Sequence, residues 1–231
     1  MLAGIREFVF VASCYRLMFQ IFLYRMAVLT WFFVMRIDET LGATDTRDLG
    51  RGAFEFDHVN RSVTVSLFVT KMNQEGLRCR RTHFCCCLPL DQRSELDQKL
   101  PMCPYCAAWA VCNAQDSFES EPSAPLRPDN AYAKAPKSEH MLKFLRDLLL
   151  LFSEKIPDLK LDLKTESCRN FYDTQSLRRG AAQALVEAGW SIDDVKFFCR
   201  WLPDAMELYM LQVPMRAAGC TVARLHSRSG G

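Results

Sequence analysis

Almost no net charge is carried by this chain: 29 lysines and arginines stand against 27 aspartates and glutamates, leaving +2 with histidine neutral. That near-balance argues against a protein held to nucleic acid or anionic lipid by bulk charge alone. Long uncharged apolar runs are lacking too. Phe8 to Met35 is strongly apolar, but Arg16 and Arg25 interrupt it, so no uncharged stretch reaches the ~18 residues of a membrane-span candidate. A buried helix pair is expected there, and no membrane partner; an anchor would rest on this segment alone. No secretory signal and no internal repeat is recognisable. The 11 cysteines are odd in number and irregularly spaced, which speaks against a secreted disulfide scaffold and for reduced thiols in an intracellular protein.

What is present is apolar surface: 49% of 231 residues are hydrophobic, enough for one large packed domain. Residues 1–50 read as helices. Then the period changes to two, with Phe54 and Phe56 alternating, followed by Val63, Val65, Leu67 and Val69. This predicts two half-buried strands around a turn near Asp57–Arg61, and a third strand is expected to run through Arg78–Leu90. Residues 113–137, polar and proline-rich, read as a loop. Ser138 is a plausible N-cap for an amphipathic helix to Ile156. A helix from Gln175 should stop at Gly189, a second opens at Ser191 with Asp194 three residues on, and Pro203 allows a third, ended by Pro214. The expected class is mainly α with a small antiparallel sheet.

Charge and sulfur are clustered. Arg78, Arg80 and Arg81 follow Lys71, and Arg178 and Arg179 adjoin at a helix start, where backbone N–H groups favour an anion. Such clusters grip phosphate or form a solvated basic face. "CCC" (Cys85–Cys87) and "CPYC" (Cys103–Cys106) hold enough thiols for a metal, but a triplet plus one C-x-x-C is a moderate signal. Free thiols beside a strand and a helix start are expected, with no metal and no cofactor. The βαβ pattern of a thioredoxin-like motif is missing.

Five short segments, in order, resemble the boxes of the tyrosine recombinases, the phage-integrase family. "MRIDETLGATDTRDL" (Met35–Leu49) is similar to the first box, with Arg36 and Glu39, then Leu41 and Asp48. "VTKMNQEG" resembles the lysine-bearing β-turn, giving Lys71. "TQSLRRG" resembles the second box, giving Gln175 and Arg178. "CRWLPDAMELY" resembles the final segment, giving Trp201 and Tyr209. The match runs over roughly residues 30–213. The resemblance implies an apolar helical segment over 1–30, a tyrosine-recombinase catalytic domain over 31–215 and a tail over 216–231.

What the family does then becomes the expectation: cleavage and rejoining of double-stranded DNA, as in integration or recombination by a mobile element. Arg36 and Arg178 would hold the non-bridging oxygens of a phosphodiester. Tyr209 would attack phosphorus to give a covalent 3′-phosphotyrosine, Lys71 would protonate the leaving 5′-oxygen, and Trp201 would donate its indole N–H. Arg78, Arg80, Arg81 and Arg179 would contact DNA. The family acts as tetramers on paired sites, so self-association on DNA is implied, with a nuclear location in a eukaryotic host and a cytoplasmic one otherwise. Two departures bear on activity. Gln175 stands where histidine is usual, and an amide cannot shuttle a proton. The helical domain that closes the family's clamp has no counterpart ahead of Arg36. The alternative is an inactive DNA-binding remnant of such a recombinase.

Overall fold

The computed structural model describes residues 17–41, 49–68, 78–117, 126–128, 136–155, 173 and 175–201. The elements in order are helices α1 (Leu17–Phe32) and α2 (Ile37–Thr40), strands β1 (Phe54–Asp57), β2 (Ser62–Phe68) and β3 (Arg78–Phe84), then helices α3 (Glu95–Lys99), α4 (Pro104–Ser117), α5 (Ser138–Lys155), α6 (Ser176–Glu187) and α7 (Ile192–Cys199). The described residues are mainly helical with a small antiparallel sheet, as the periodicities predict.

α1 is the spine. From Phe22 to Phe32 every residue but Arg25 is buried, as a helix with apolar residues on nearly all sides requires. α4, α5 and α6 all pack on it; Leu23, Met26, Ala27, Val28 and Leu29 are at most 1% exposed. No helix among the described residues is long and apolar enough to cross a membrane. The domain boundary expected at 30–31 falls inside this continuous helix. Gly180 of α6 marks how closely two helices approach, since a Cβ there would stand 2.9 Å from the Trp31 ring of α1.

The sheet has the order β1-β2-β3, antiparallel throughout, with Phe54 opposite Val65 and Val65 opposite Arg81. Val63, Val65 and Leu67 turn one face into the core, where α4 covers it. The Asp57–Arg61 turn closes as expected: the Asp57 carboxylate accepts from the Asn60 N–H at 3.0 Å, and Arg61 takes a positive φ of 50°. The third strand stops at Phe84 rather than running to Leu90; the Cys85 N–H adds one more bond, to the Arg61 carbonyl at 2.8 Å, before the backbone leaves the sheet. The loop expected from residue 113 starts later, since α4 continues to Ser117; the Gln115 amide donates to the Arg127 carbonyl, fixing that last turn.

Three helices end in the same device. In a Schellman turn the residue after the helix is left-handed and the next N–H reaches back five residues. Val34 (φ 49°), Gly189 (φ 91°) and Arg200 (φ 54°) occupy the left-handed position. The reaching bonds are Met35 N to Thr30 O at 3.0 Å, Trp190 N to Leu185 O at 3.1 Å and Trp201 N to Lys196 O at 3.1 Å. Gly189 was legible as such a stop; Val34 and Arg200 bear side chains that resist this conformation. α7 starts as expected, the Ser191 hydroxyl accepting from the Asp194 N–H at 3.1 Å. The helix expected after Pro203 lies outside the described residues.

Candidate anion site and thiol cluster

Arg200 and Arg178 lie by the Glu39 carboxylate, with Arg36 in electrostatic reach of Arg178 and Arg81 in reach of Arg200. Arg36 stands two residues beyond the turn at Val34 and caps α2; its backbone N–H donates to Glu39 Oε2 at 2.9 Å. The same oxygen accepts from Arg200 Nη2 at 2.7 Å. Arg178 lies in the first turn of α6 and is 2% exposed. Its Nη2 donates to the Cys199 carbonyl at the end of α7, and its guanidinium carbon is 5.8 Å from the centre of the Trp201 ring. Arg81 of β3 donates from Nη1 to the Phe33 carbonyl and lies over the Phe198 ring at 4.3 Å.

These charges act on one another. Burial lowers Arg178 to about 10, Glu39 opposes the shift, and Arg200 and Arg36 add to it. Burial and the charge of Arg200 lower Arg81 to about 10. Both stay cationic at neutral pH. Among the described residues, Arg178 Nε, Arg81 Nη2 and Glu39 Oε1 are buried without a hydrogen-bond partner. Positive charge therefore exceeds negative locally, with donors left over. Guanidinium donors of this kind are chemically suited to pair with anions that carry several acceptor oxygens.

Of the residues singled out in the sequence, Arg36, Arg178 and Trp201 come together although they are far apart in the chain. Gln175 takes the N-cap position of α6, with no capping bond from its side chain. Lys71 and Tyr209 lie outside the described residues. The arginines expected on DNA divide. Arg81 is no surface cation: it is 6% exposed and belongs to the buried cluster, because Val65 opposite it points its face inward. Arg80, on the other face, is exposed and paired with Glu55. Arg179 pairs with Asp173 at 2.8 Å. Arg78 opens β3 opposite Phe68. Arg200 was missed, although a lone cation inside "FFCRWL" signals a buried charge in need of a partner.

The described cysteines are free thiols beside a strand and a helix start, as expected, but four of them converge, which the sequence did not lead one to expect. Cys85 and Cys87, just past β3, meet Cys103 and Cys106 at the start of α4, and all four sulfurs lie within 4.8 Å of one another. Cys103 Sγ is 3.6 Å from Cys85 Sγ, and Cys87 Sγ is 3.6 Å from Cys106 Sγ. The β3–α4 packing brings together two half-signals that are each weak in sequence. Hydrogen bonds from Cys106, Cys85, Cys86 and Cys87 favour the thiolate at Cys103. In comparisons with protein-family models, with curated proteins and with solved structures, the chain matches none.

Proposed function

We propose that the chain cleaves and rejoins DNA strands in the manner of a tyrosine recombinase. The observation that carries this reading is the meeting of Arg36 and Arg178 beside Trp201, from segments that nothing but the boxes would link. A phosphodiester repels nucleophiles, and charge grows on its non-bridging oxygens during attack. Preorganised donors aimed at that charge usually supply the largest catalytic term. Arg36 and Arg178 fill that role, and Arg200 adds charge beside them.

The phenolic oxygen of Tyr209 bonds to phosphorus as the bond to the 5′-oxygen breaks. The phenol gives up its proton to solvent, and Lys71 donates one to the departing oxygen. The product is a 3′-phosphotyrosine and a free 5′-hydroxyl, and attack by a 5′-hydroxyl reverses the step. Neither metal nor nucleotide takes part in it.

The burial of Arg178 favours a second reading, a DNA-binding remnant of the same descent, and Gln175 points the same way. Covalent capture separates the two. A duplex nicked near its cleavage site, at low salt and high DNA where phosphate contacts are strongest, should trap an adduct that Tyr209→Phe abolishes. Failure to trap any adduct there, and again after Gln175→His in a chain fused to a DNA-binding domain, would leave the remnant.

A further inference from the structure

We propose that Cys85, Cys87, Cys103 and Cys106 are the four ligands of one structural zinc ion. The geometry is that of a closed thiolate site. Zinc–sulfur bonds of ~2.3 Å at tetrahedral angles set the sulfurs roughly 3.8 Å apart, and the two closest pairs here are 3.6 Å apart with the whole set inside 4.8 Å. A disulfide would need ~2.05 Å. Four soft sulfur donors with no oxygen or nitrogen among them select zinc over magnesium or calcium.

The surroundings suit the charge of such a centre. Zinc with four thiolates carries a net −2. Cys103 and Cys106 sit at the start of α4, a helix of 14 residues whose N-terminal N–H groups favour thiolate. Arg61 lies within electrostatic reach of all four sulfurs, and its carbonyl accepts from the Cys85 N–H at 2.8 Å. The neighbouring Cys86 lies outside the four-sulfur set, and its Sγ faces the Met102 carbonyl at 3.5 Å. The set is thus C-x-C followed, after 15 residues, by C-x-x-C.

Position gives the ion its task. Cys85 and Cys87 continue from β3, which carries Arg81; Cys103 and Cys106 begin α4, which packs on α1. The metal ties the sheet to the helical core at the strand that supplies one of the clustered arginines. The segment between the two ligand pairs holds a 3-10 turn (Leu90–Gln92) and the five-residue α3, and Leu100 near its end is buried in the core.

The test uses the full chain, purified without a metal-binding tag under reducing conditions. Elemental analysis should find one zinc per chain. Replacing zinc with cobalt(II) should give the sulfur-to-metal charge-transfer band and the intense d–d bands of a tetrahedral thiolate site. Cys87→Ser with Cys106→Ser should remove the metal, while Cys86→Ser and Cys112→Ser should keep it. Should the double variant fail to fold, stepwise mercurial titration of the wild-type chain serves instead: zinc should be released as four thiols are consumed. A folded wild-type chain without metal after refolding in zinc overturns the proposal. So does metal retained in a folded double variant, or a disulfide among these four cysteines in the protein as isolated.

Discussion

Arg200 donates to Glu39 at 2.7 Å across 161 residues of sequence, closing the end of α7 onto the turn that presents Arg36. Their side chains are 9% and 14% exposed, so water screens the pair little. Removing one partner of a buried pair typically costs ~3–5 kcal/mol. Here Arg36 and Arg178 remain near the carboxylate, so Arg200→Ala should cost less, about 1–3 kcal/mol in denaturant unfolding. Arg200→Gly should be milder by about 1 kcal/mol, since glycine tolerates the left-handed backbone. Equal losses in the two variants would show that the backbone at Arg200 is not strained.

Glu39→Gln separates charge from packing. The amide keeps the shape but leaves the arginines without a counter-charge. We expect lower stability, and a larger rise in melting temperature on adding phosphate than the wild type shows. Thermal unfolding with matched chloride controls measures this. The same phosphate response in both proteins would mean that the cluster does not bind the anion.

Arg178→Lys is not a conservative change at this site. Lysine keeps one charge but cannot donate to the Cys199 carbonyl and offer a second edge at once. On the recombinase reading it should lower covalent capture by about 10²–10³-fold, the range for one lost oxyanion donor. Arg80→Gln, which breaks only an exposed pair, should change stability by less than ~1 kcal/mol. If Arg178→Lys left a well-folded chain with undiminished capture, Arg178 would have no place in the chemistry.

Gly180→Ala tests two opposed effects. Helix propensity alone would stabilise by ~1 kcal/mol. The added methyl would meet Trp31, 6% exposed and locked in the core, and overpacking of this kind costs ~1–3 kcal/mol. The clash should win, giving a net loss of about 1 kcal/mol by chemical denaturation. A gain would mean the indole moves aside freely.

Alkaline pH should weaken the fold through Cys199. Burial pushes its thiol up to about 11, with Arg178, Arg81 and Arg200 pulling the other way. A raised folded-state pKa means that the contribution is complete below the unfolded value near 9. It is lost as pH rises toward 11, by at most ~2–3 kcal/mol. Cys199→Ala should flatten the fall in stability between those limits. An unchanged pH profile in that variant would assign the loss to other groups.

Local signals were readable wherever one residue type decides the backbone. The alternation through Val63, Val65 and Leu67, the stop at Gly189 and the cap at Ser191 needed no tertiary knowledge. Arg36, Arg178 and Trp201 were legible as a group only because the order of the boxes linked them. The burial of Arg81 is not legible from the basic run itself, because a strand alternates between faces, and the register that buries Arg81 while exposing Arg80 is set by β2. The thiol quartet stayed hidden for a related reason. Neither "CCC" nor "CPYC" contains the information that β3 ends beside the start of α4.

Arg81 and Arg178 are each held by a main-chain carbonyl, Phe33 and Cys199 respectively. Main-chain acceptors at the ends of packed helices do not change rotamer. The freedom of two long side chains is therefore already given up on folding, a loss of ~1.5–2 kcal/mol for each such arginine. An incoming anion would meet cations that need no ordering. Its affinity would then report charge and fit, with little entropic penalty from the protein.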